Sequence, residues 1–216
     1  MPGGYTGLVP TAAEQRLREG LAQLGAAAGA PITGALLHYL QLLEEWNRAY
    51  NLTRITGLDE MAVRHILDSA TAAPFLAGGT VLDVGTGAGL PGLPLALLQP
   101  ARHFTLLDSV GKKIRFLQEV LAQLRLPNVT LVQARAEQWR PASAFDTVIC
   151  RAFSSLADFA SLCGHLAAPA GRLVAMKGLR PDEELAAVAS PWRVSRLERV
   201  TVPGLDAERH IVVLER

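Results

Sequence analysis

Residues 80–92 read TVLDVGTGAGLPG, and the fold of the chain is inferred from this stretch. Its first five residues are mostly apolar or β-branched, which favours a strand that ends at Gly85. Glycine recurs at 87, 89 and 92, where a missing Cβ atom permits positive φ and lets a ligand approach the backbone. The apolar segment 93–98 is predicted to begin a helix. Strand, glycine turn and helix in succession form the nucleotide-binding unit of α/β folds.

Strand and helix patterns alternate on the carboxyl side of this loop. Apolar runs predict strands at 80–84, 104–108, 129–133, 146–150 and 172–177. Helical patterns lie between them near 93–98, 111–126, 155–168 and 182–189. Such alternation indicates a parallel sheet with right-handed crossovers. Residues 194–202 and 210–214 are joined by a short loop, so they are predicted to pair as an antiparallel hairpin, which gives a seven-stranded α/β fold.

The first third of the chain is predicted to be helical. Apolar residues recur at spacings of three and four in three segments between 12 and 75, the third of which follows a helix cap at Asp59. Residues 1–10 are rich in Gly and Pro and are predicted to be irregular. We therefore divide the chain into an N-terminal helical cap, residues 1–75, and one compact α/β domain, residues 76–216.

Composition restricts the class of protein. The net charge is +1, so any contact with nucleic acid would need a local basic patch. No apolar run reaches the length of a membrane span, and the N-terminus lacks the features of a signal peptide, so we expect a cytoplasmic protein without a membrane partner. Cys150 and Cys163 are interpreted as buried apolar side chains. Because the five histidines show no metal-ligand spacing, no metal is expected.

The glycines fit two ligand templates that differ in register. Gly85, Gly87 and Gly89 suit a loop beneath the methionine end of S-adenosylmethionine, whereas glycines 87, 89 and 92 match the dinucleotide pattern. A dinucleotide fingerprint begins at the strand end, and from Gly85 its third glycine would fall on Leu90. Asp83 could meet the ammonium of the methionine moiety, or it is an ordinary polar strand end. S-adenosylmethionine is the predicted cofactor, and a nicotinamide-dependent oxidoreductase is the alternative.

Two further strand ends complete the predicted nucleoside site. Asp108 ends the second strand at about the offset from Gly85 where a carboxylate meets ribose hydroxyls, and Ser109 follows it. Beyond the third strand, the backbone N–H groups of Ala136 and Glu137 could bind an adenine edge. The side chain of Glu137 could equally be an ordinary surface charge.

Seven segments between residues 46 and 214 carry a more specific resemblance. They are WNRAYNLT (46–53), VRHILDS (63–69), DVGTGAGLPGLP (83–94), HFTLLDSVGKK (103–113), RAF (151–153), KG (177–178) and ERH (208–210). Together they resemble the bacterial small-subunit (16S) ribosomal RNA guanine-N7 methyltransferase family, methyltransferase G, also called glucose-inhibited division protein B. Ala88 is a departure, because other members have proline there.

The resemblance implies a class I, Rossmann-like, S-adenosylmethionine-dependent methyltransferase that acts on small-subunit rRNA or a ribosomal subunit. It implies that the methionine and ribose parts of the cofactor are bound by Gly85, Gly87, Gly89, Leu90 and Asp108. It also implies an adenine site at Ala136 and Glu137, and it places Arg151 at the mouth of the pocket. A non-catalytic RNA-binding or ribosome-assembly module that has kept the fold is the remaining alternative.

Methylation at guanine N7 requires no general base, because N7 carries a lone pair and no proton. No residue is therefore assigned as certainly catalytic. Arg151 and Lys177 are candidates for holding phosphate or guanine O6. Asn51 either caps a helix or hydrogen-bonds a base. His65 and Asp68 share one helical face and are interpreted as docking the helical cap onto the sheet.

Overall fold

A computed structural model describes residues 11–26 and 28–216, and the segment 1–10, predicted to be irregular, lies outside that part. The described residues before Thr80 contain helices and no strand, as the sequence predicted. These elements are α1 (Ala12–Gln23), α2 (Ala30–Tyr50), α3 (Leu58–Met61), a π-helical turn (Ala62–Leu67), α4 (Asp68–Ala70) and a 3-10 turn (Ala73–Phe75). The division into two units at residue 75 stays a prediction.

The predicted cap of the third helix is wrong. The helix begins at Leu58 after Gly57, whose φ of +81° belongs to the region that favours glycine. Asp59 lies inside the first turn, where its negative charge interacts favourably with the N-terminal end of the helix dipole. An aspartate near a helix start has two favourable positions, so the sequence pattern alone does not separate them.

The sheet has seven strands in the order β3-β2-β1-β4-β5-β7-β6. The strands are β1 (Thr80–Val84), β2 (His103–Asp108), β3 (Val129–Gln133), β4 (Phe145–Arg151), β5 (Ala167–Lys177), β6 (Arg193–Arg199) and β7 (His210–Glu215). Strands β1 to β5 are parallel, and β7 is antiparallel to both β5 and β6. The predicted α/β fold and its terminal hairpin are confirmed.

One strand is longer than the sequence indicated. Strand β5 begins at Ala167, five residues before the predicted start, and its pairing with β4 shifts register between Phe145 and Thr147. The intervening segment contains Pro169 and Gly171, which weaken any sequence-based strand signal. The irregular pairing allows these residues to lie within the strand.

Four helices follow the strands: α5 (Gly92–Leu98), α6 (Gly111–Leu124), α7 (Leu156–Cys163) and α8 (Asp182–Ala186). The chain builds outward from β1 to β3 and then returns to place β4 on the other side of β1. In such sheets ligands bind beyond the carboxyl ends of the strands at this reversal. None of the helices in the described residues is sufficiently long and apolar to span a membrane.

Consecutive residues of β1 face two different cores. Val81 packs in a cluster with Leu17, Leu36 and other residues of the N-terminal helices. Leu82 packs on the opposite face with Phe159 of α7. Alternation of side chains across a strand explains the division. The N-terminal helices are therefore part of one packed face of the sheet.

We predict that Gly92→Ala destabilises the protein. A Cβ atom at Gly92 would overlap the side chain of Leu106 and lie 2.8 Å from Asp83 Oδ2. Overpacking of this kind costs about 1–3 kcal/mol. The matched control is Gly34→Ala, at an exposed position of α2 with open space around it, which should gain about 0.4–1 kcal/mol. Urea unfolding measures both, and equal stability of the two variants would contradict the prediction.

Candidate functional site

The glycine loop, residues 85–92, is held at both ends by the carboxylate of Asp83. Asp83 Oδ2 accepts hydrogen bonds from Thr86 Oγ1 at 2.6 Å and from the Gly92 backbone N–H at 2.8 Å. The side chain is fully buried, and this burial raises the pKa of Asp83 to about 6 although both hydrogen bonds lower it. Asp83 therefore lies beneath the loop and contacts it from inside the protein.

Asp108 holds the middle of the same loop. Its Oδ2 accepts from the Gly87 backbone N–H at 2.9 Å and from Lys113 Nζ at 3.1 Å, and its Oδ1 accepts from the Val110 N–H at 2.9 Å. An ionised carboxylate has about four acceptor positions. Three are used, so Asp108 retains capacity for one further donor such as a ribose hydroxyl.

A cavity of about 290 Å³ opens beside this loop, and we call it the Gly85 cavity. Its lining includes five of the predicted cofactor residues: Gly85, Asp108, Ser109, Ala136 and Glu137. A Cβ atom at Gly85 would meet nothing within 4 Å, so the backbone there is open to a ligand. The open glycine and the remaining acceptor position of Asp108 fit the nucleoside end of S-adenosylmethionine.

The other predicted loop residues support this cavity without lining it. Gly87 donates its N–H to Asp108, and Leu90 is 5% exposed within the core. Gly89 has a φ of +99°, and a Cβ atom there would lie 2.8 Å from Leu117. The conformation of the loop therefore requires these residues, while Gly85 provides the open surface.

Arg151 lies in a second cavity of about 440 Å³, which we call the Arg151 cavity. Its lining residues are Ile55, Arg64, His65, Asp68, Arg151, Ala152, Met176, Lys177, Gly178 and Arg209. The structure thus separates Arg151 from the five residues of the Gly85 cavity. Arg151 and Lys177, the two predicted positioning cations, are brought together.

Asp68 joins the helical layer to the sheet through two arginines. It accepts from Arg151 Nη1 at 3.2 Å and from Arg209 Nε at 2.8 Å. Arg151 Nη1 also donates to the Arg64 carbonyl at 3.0 Å. Because Arg151 ends β4 and Arg209 precedes β7, these contacts agree with the docking role inferred for Asp68.

Lys177 is held in place by a carboxylate. Its Nζ lies 2.7 Å from Glu184 Oε2 and donates to the Phe153 carbonyl at 3.2 Å. Glu184 Oε2 also accepts from the Leu156 N–H at 2.8 Å, which ties the start of α8 to the start of α7. A side chain only 10% exposed and bound at two points is fixed in position.

His65 lies in the same cavity as a neutral side chain. Burial, and then the charge of Arg151, lower the pKa of His65 to about 4. Its Nε2 is 2.9 Å from Thr53 Oγ1, and the Thr53 N–H donates to Asn47 Oδ1 at 2.8 Å. These contacts tie the segment after α2 to the π-helical turn that carries His65.

Residues 151–153 contribute to the lining of both cavities. Ala152 lines the Arg151 cavity, whereas Phe153, the next residue, lines the Gly85 cavity. Ala152 has a φ of +65°, a left-handed conformation that is strained for alanine. Strain of this kind concentrates where a chain serves a binding site.

Asn51 ends helix α2 with a φ of +49°, and its backbone N–H donates to the Asn47 carbonyl. This agrees with the helix-capping interpretation. Lys112 Nζ donates to the neighbouring Tyr50 carbonyl at 2.8 Å, so this helix end is tied to α6. Asn51 lines neither of the two cavities.

The cysteines are buried and free, as predicted. Burial raises the pKa of the Cys150 thiol well above its usual value and that of Cys163 to about 12. A thiol of such high pKa is a poor nucleophile at neutral pH. Within the described part of the chain, no group of three potential metal ligands occurs.

Comparison with known proteins identifies the family. The profile of the GidB family, described as rRNA small subunit methyltransferase G, matches residues 32–212. The chain belongs to this family. A ribosomal RNA small subunit methyltransferase G from Cronobacter sakazakii is 50% identical over 83% of this chain and 87% of its own length. The protein of that name from Shigella dysenteriae is 47% identical over 87% of this chain and 93% of its own length.

Solved structures share the fold of this chain at low sequence identity. Coclaurine N-methyltransferase, bound to N-methylheliamine and SAH, has a TM-score of 0.58 and 14% identity, covering 97% of this chain and 90% of its own. TrmN from Thermus thermophilus has a TM-score of 0.56 and 19% identity, and the match covers 94% of this chain and 78% of TrmN. Family and fold confirm a methyltransferase, and S-adenosylmethionine, predicted from the glycine loop, is the cofactor of this class.

Three polar contacts around the two cavities and the glycine loop were not identified from the sequence. Arg209 shares Asp68 with Arg151, and Glu184 pairs with Lys177. Arg209 falls in the ERH segment that carries the resemblance, and Glu184 falls in the acidic run 182–184, so both left a signal. The third contact is the hydrogen bond from the Tyr39 hydroxyl to the Ala88 carbonyl, and it left no signal, because the position of Tyr39 on α2 is that of an ordinary core residue.

We predict that Gly85→Asp abolishes methyl transfer, with a loss of at least about 100-fold, while RNA binding persists. The φ of +66° strains any side chain at 85, and the new carboxylate would project into the Gly85 cavity. The control is Gly25→Asp, at a φ of +69° with open surroundings, which carries the same strain away from the cavity. Transfer of labelled methyl groups measures the effect, and equal activity of both variants would contradict it.

We also predict a pH-dependent stability difference between Asp83→Asn and the native protein. The folded pKa of about 6 exceeds the unfolded value, so the contribution of Asp83 is fully present below about pH 4 and is lost as pH rises through 6. The asparagine amide of the variant stays neutral throughout this range. As the pH rises from 4 to 6, the free energy of unfolding of the variant should therefore increase relative to that of the native protein. The increase is about 1.4 kcal/mol for each unit by which the folded and unfolded pKa values of Asp83 differ. Denaturant unfolding at several pH values checks this, and a constant difference would refute it.

Proposed function

We propose that this chain transfers the methyl group of S-adenosylmethionine to N7 of a guanine in small-subunit ribosomal RNA. The observation that carries the proposal is that consecutive residues, Ala152 and Phe153, line two cavities of different character. The Gly85 cavity has the open backbone and free acceptor capacity that a nucleoside requires, and the Arg151 cavity is rich in cations. A family whose curated members are named as small-subunit rRNA methyltransferases supports the substrate.

When bound, S-adenosylmethionine supplies a methyl group on a positively charged sulfur, and the broken carbon–sulfur bond leaves its electron pair on that sulfur. Guanine N7 provides the lone pair for the new bond and loses no proton. The Arg151 cavity agrees with the absence of a general base, because burial lowers the pKa of its histidine, His65, to about 4, which makes it a weak base, and its Nε2 is hydrogen-bonded to Thr53. The protein therefore acts by alignment and by exclusion of water, which together supply up to about 7–11 kcal/mol.

The methylated base becomes positively charged, so a cation against N7 would oppose the reaction. Arg151 and Lys177 are each fixed by a carboxylate, Asp68 and Glu184 respectively. We assign them to guanine O6 or to a phosphate, which are acceptors that Arg and Lys bind well. An rRNA substrate would place the enzyme in the cytoplasm, with either free rRNA or a ribosomal subunit as its partner.

The test is methyl transfer by the purified full-length protein from tritiated S-adenosylmethionine to small-subunit rRNA and to small subunits. We expect label in the RNA and strand cleavage at the labelled guanine after borohydride and aniline treatment. Binding of either RNA substrate without transfer of label would instead favour the non-catalytic assembly module. Label in RNA that resists cleavage would contradict N7 as the acceptor.

The role of Arg151 has its own prediction. Arg151→Gln should raise the KM for RNA about tenfold and leave the KM for S-adenosylmethionine within about twofold, because the side chain lies in the Arg151 cavity. The control is Arg193→Gln. Arg193 is an exposed arginine on the edge strand β6, and its Nη2 lies 3.9 Å from Glu215 Oε2. A selective rise in the KM for S-adenosylmethionine would instead assign Arg151 to the cofactor.

A further inference from the structure

Tyr39, in the middle of α2, reaches the glycine loop from the helical layer. Its side chain is fully buried, and its hydroxyl donates to the Ala88 carbonyl at 2.8 Å. Burial raises the pKa of Tyr39 far above its usual value, so the hydroxyl stays protonated. The carbonyl can only accept, which fixes the direction of this hydrogen bond.

The carbonyl of Ala88 takes its hydrogen bond from a residue outside the glycine loop. It lies between Gly87, with a φ of +64°, and Gly89, with a φ of +99°. Glycines allow many backbone conformations, so hydrogen bonds are needed to orient the peptide between them. The Gly89 N–H donates to the Thr86 carbonyl at 2.9 Å within the loop, and the Ala88 carbonyl accepts from Tyr39 outside it. Asp83 holds the loop from β1 and Asp108 holds it from β2, and the Tyr39 hydroxyl adds an anchor from a third direction.

The ring of Tyr39 is itself held by α6. Its centroid lies 6.3 Å from that of Phe116, which lies 5.7 Å from that of Trp46 on α2. Helix α6 also carries Lys113, which binds the Asp108 carboxylate. The anchors at Gly87 and Ala88 are therefore both positioned by contacts with one helix.

We propose that Tyr39 is a positioning residue for the cofactor loop, and that the helical layer thereby contributes to cofactor affinity. Among the described residues, none that lines the Gly85 cavity comes from the helices before β1, so the effect acts through the Ala88 carbonyl. Without the hydroxyl, the Ala88 carbonyl loses this donor and the 88–89 peptide keeps the hydrogen bond from the Gly89 N–H to the Thr86 carbonyl, so the backbone of the loop next to Gly85 and Gly87 is less restricted. The role rests on the proposed function in that the loop must bind S-adenosylmethionine.

The test is Tyr39→Phe, which keeps the ring and removes only the hydroxyl. We expect the Kd and the KM for S-adenosylmethionine to rise about tenfold, the size of effect that loss of one buried hydrogen bond produces. At saturating S-adenosylmethionine, kcat should stay within about twofold of the native value, and the Kd for rRNA should not change. Calorimetry and initial rates supply these four quantities.

A second variant separates loop positioning from general loss of stability. Thr147 is also fully buried, and its hydroxyl donates to the Ala77 carbonyl and accepts from the Ala77 N–H, both at 2.9 Å, near the amino end of β4 and away from the loop. Thr147→Val removes two hydrogen bonds, so it should lower Tm at least as much as Tyr39→Phe does and leave the Kd for S-adenosylmethionine unchanged.

Two outcomes would overturn the proposal in distinguishable ways. If Tyr39→Phe lowers Tm but binds S-adenosylmethionine as the native protein does, Tyr39 is a structural residue only and the proposed function stands. If the native protein binds no S-adenosylmethionine, the proposed function fails and the role of Tyr39 fails with it.

Discussion

The buried carboxylate of Asp83 is the contact on which the shape of the site depends. A carboxylate removed from water is costly unless hydrogen bonds compensate it. Asp83 Oδ2 receives two, from the start and the end of the glycine loop. The loop therefore closes over the end of β1, with Gly92 packed too tightly against Asp83 and Leu106 for any larger residue.

The strand order determines where this loop meets other chemistry. Strands β1, β2 and β4 are neighbours, so the glycine loop, Asp108 and residues 151–153 lie at one edge of the sheet. Asp108 orders the loop from β2, and Arg151 connects β4 to the helical layer through Asp68. The Gly85 cavity, the Arg151 cavity and the helical layer are thus linked by a few polar contacts.

Periodicity and the glycine pattern predicted the α/β fold because they report local preferences directly. The grouping of Gly85, Asp108, Ser109, Ala136 and Glu137 was predictable too, since parallel strands bring their carboxyl ends together. The sequence could not predict that Arg151 lies in the other cavity. Its position depends on the left-handed backbone conformation of Ala152, which no sequence propensity favours.

Long-range polar pairing was the other limit on what the sequence could predict. Asp68 and Arg209 are 141 residues apart, and Tyr39 and Ala88 are 49 apart. Tyr39 lies at helical spacing from Leu36 and Leu43, a pattern that predicts a core residue and is correct for its ring. The partner of its hydroxyl follows from how α2 packs on the sheet, and that packing is not encoded in spacing along one helix.

Nucleoside mass spectrometry of small-subunit rRNA tests the central claim most directly. The rRNA would come from cells that carry the gene, cells that lack it, and cells complemented with the native or the Gly85→Asp protein. We predict that 7-methylguanosine is lost without the gene, returns with the native protein and stays absent with Gly85→Asp. An unchanged 7-methylguanosine content in cells that lack the gene would contradict the account.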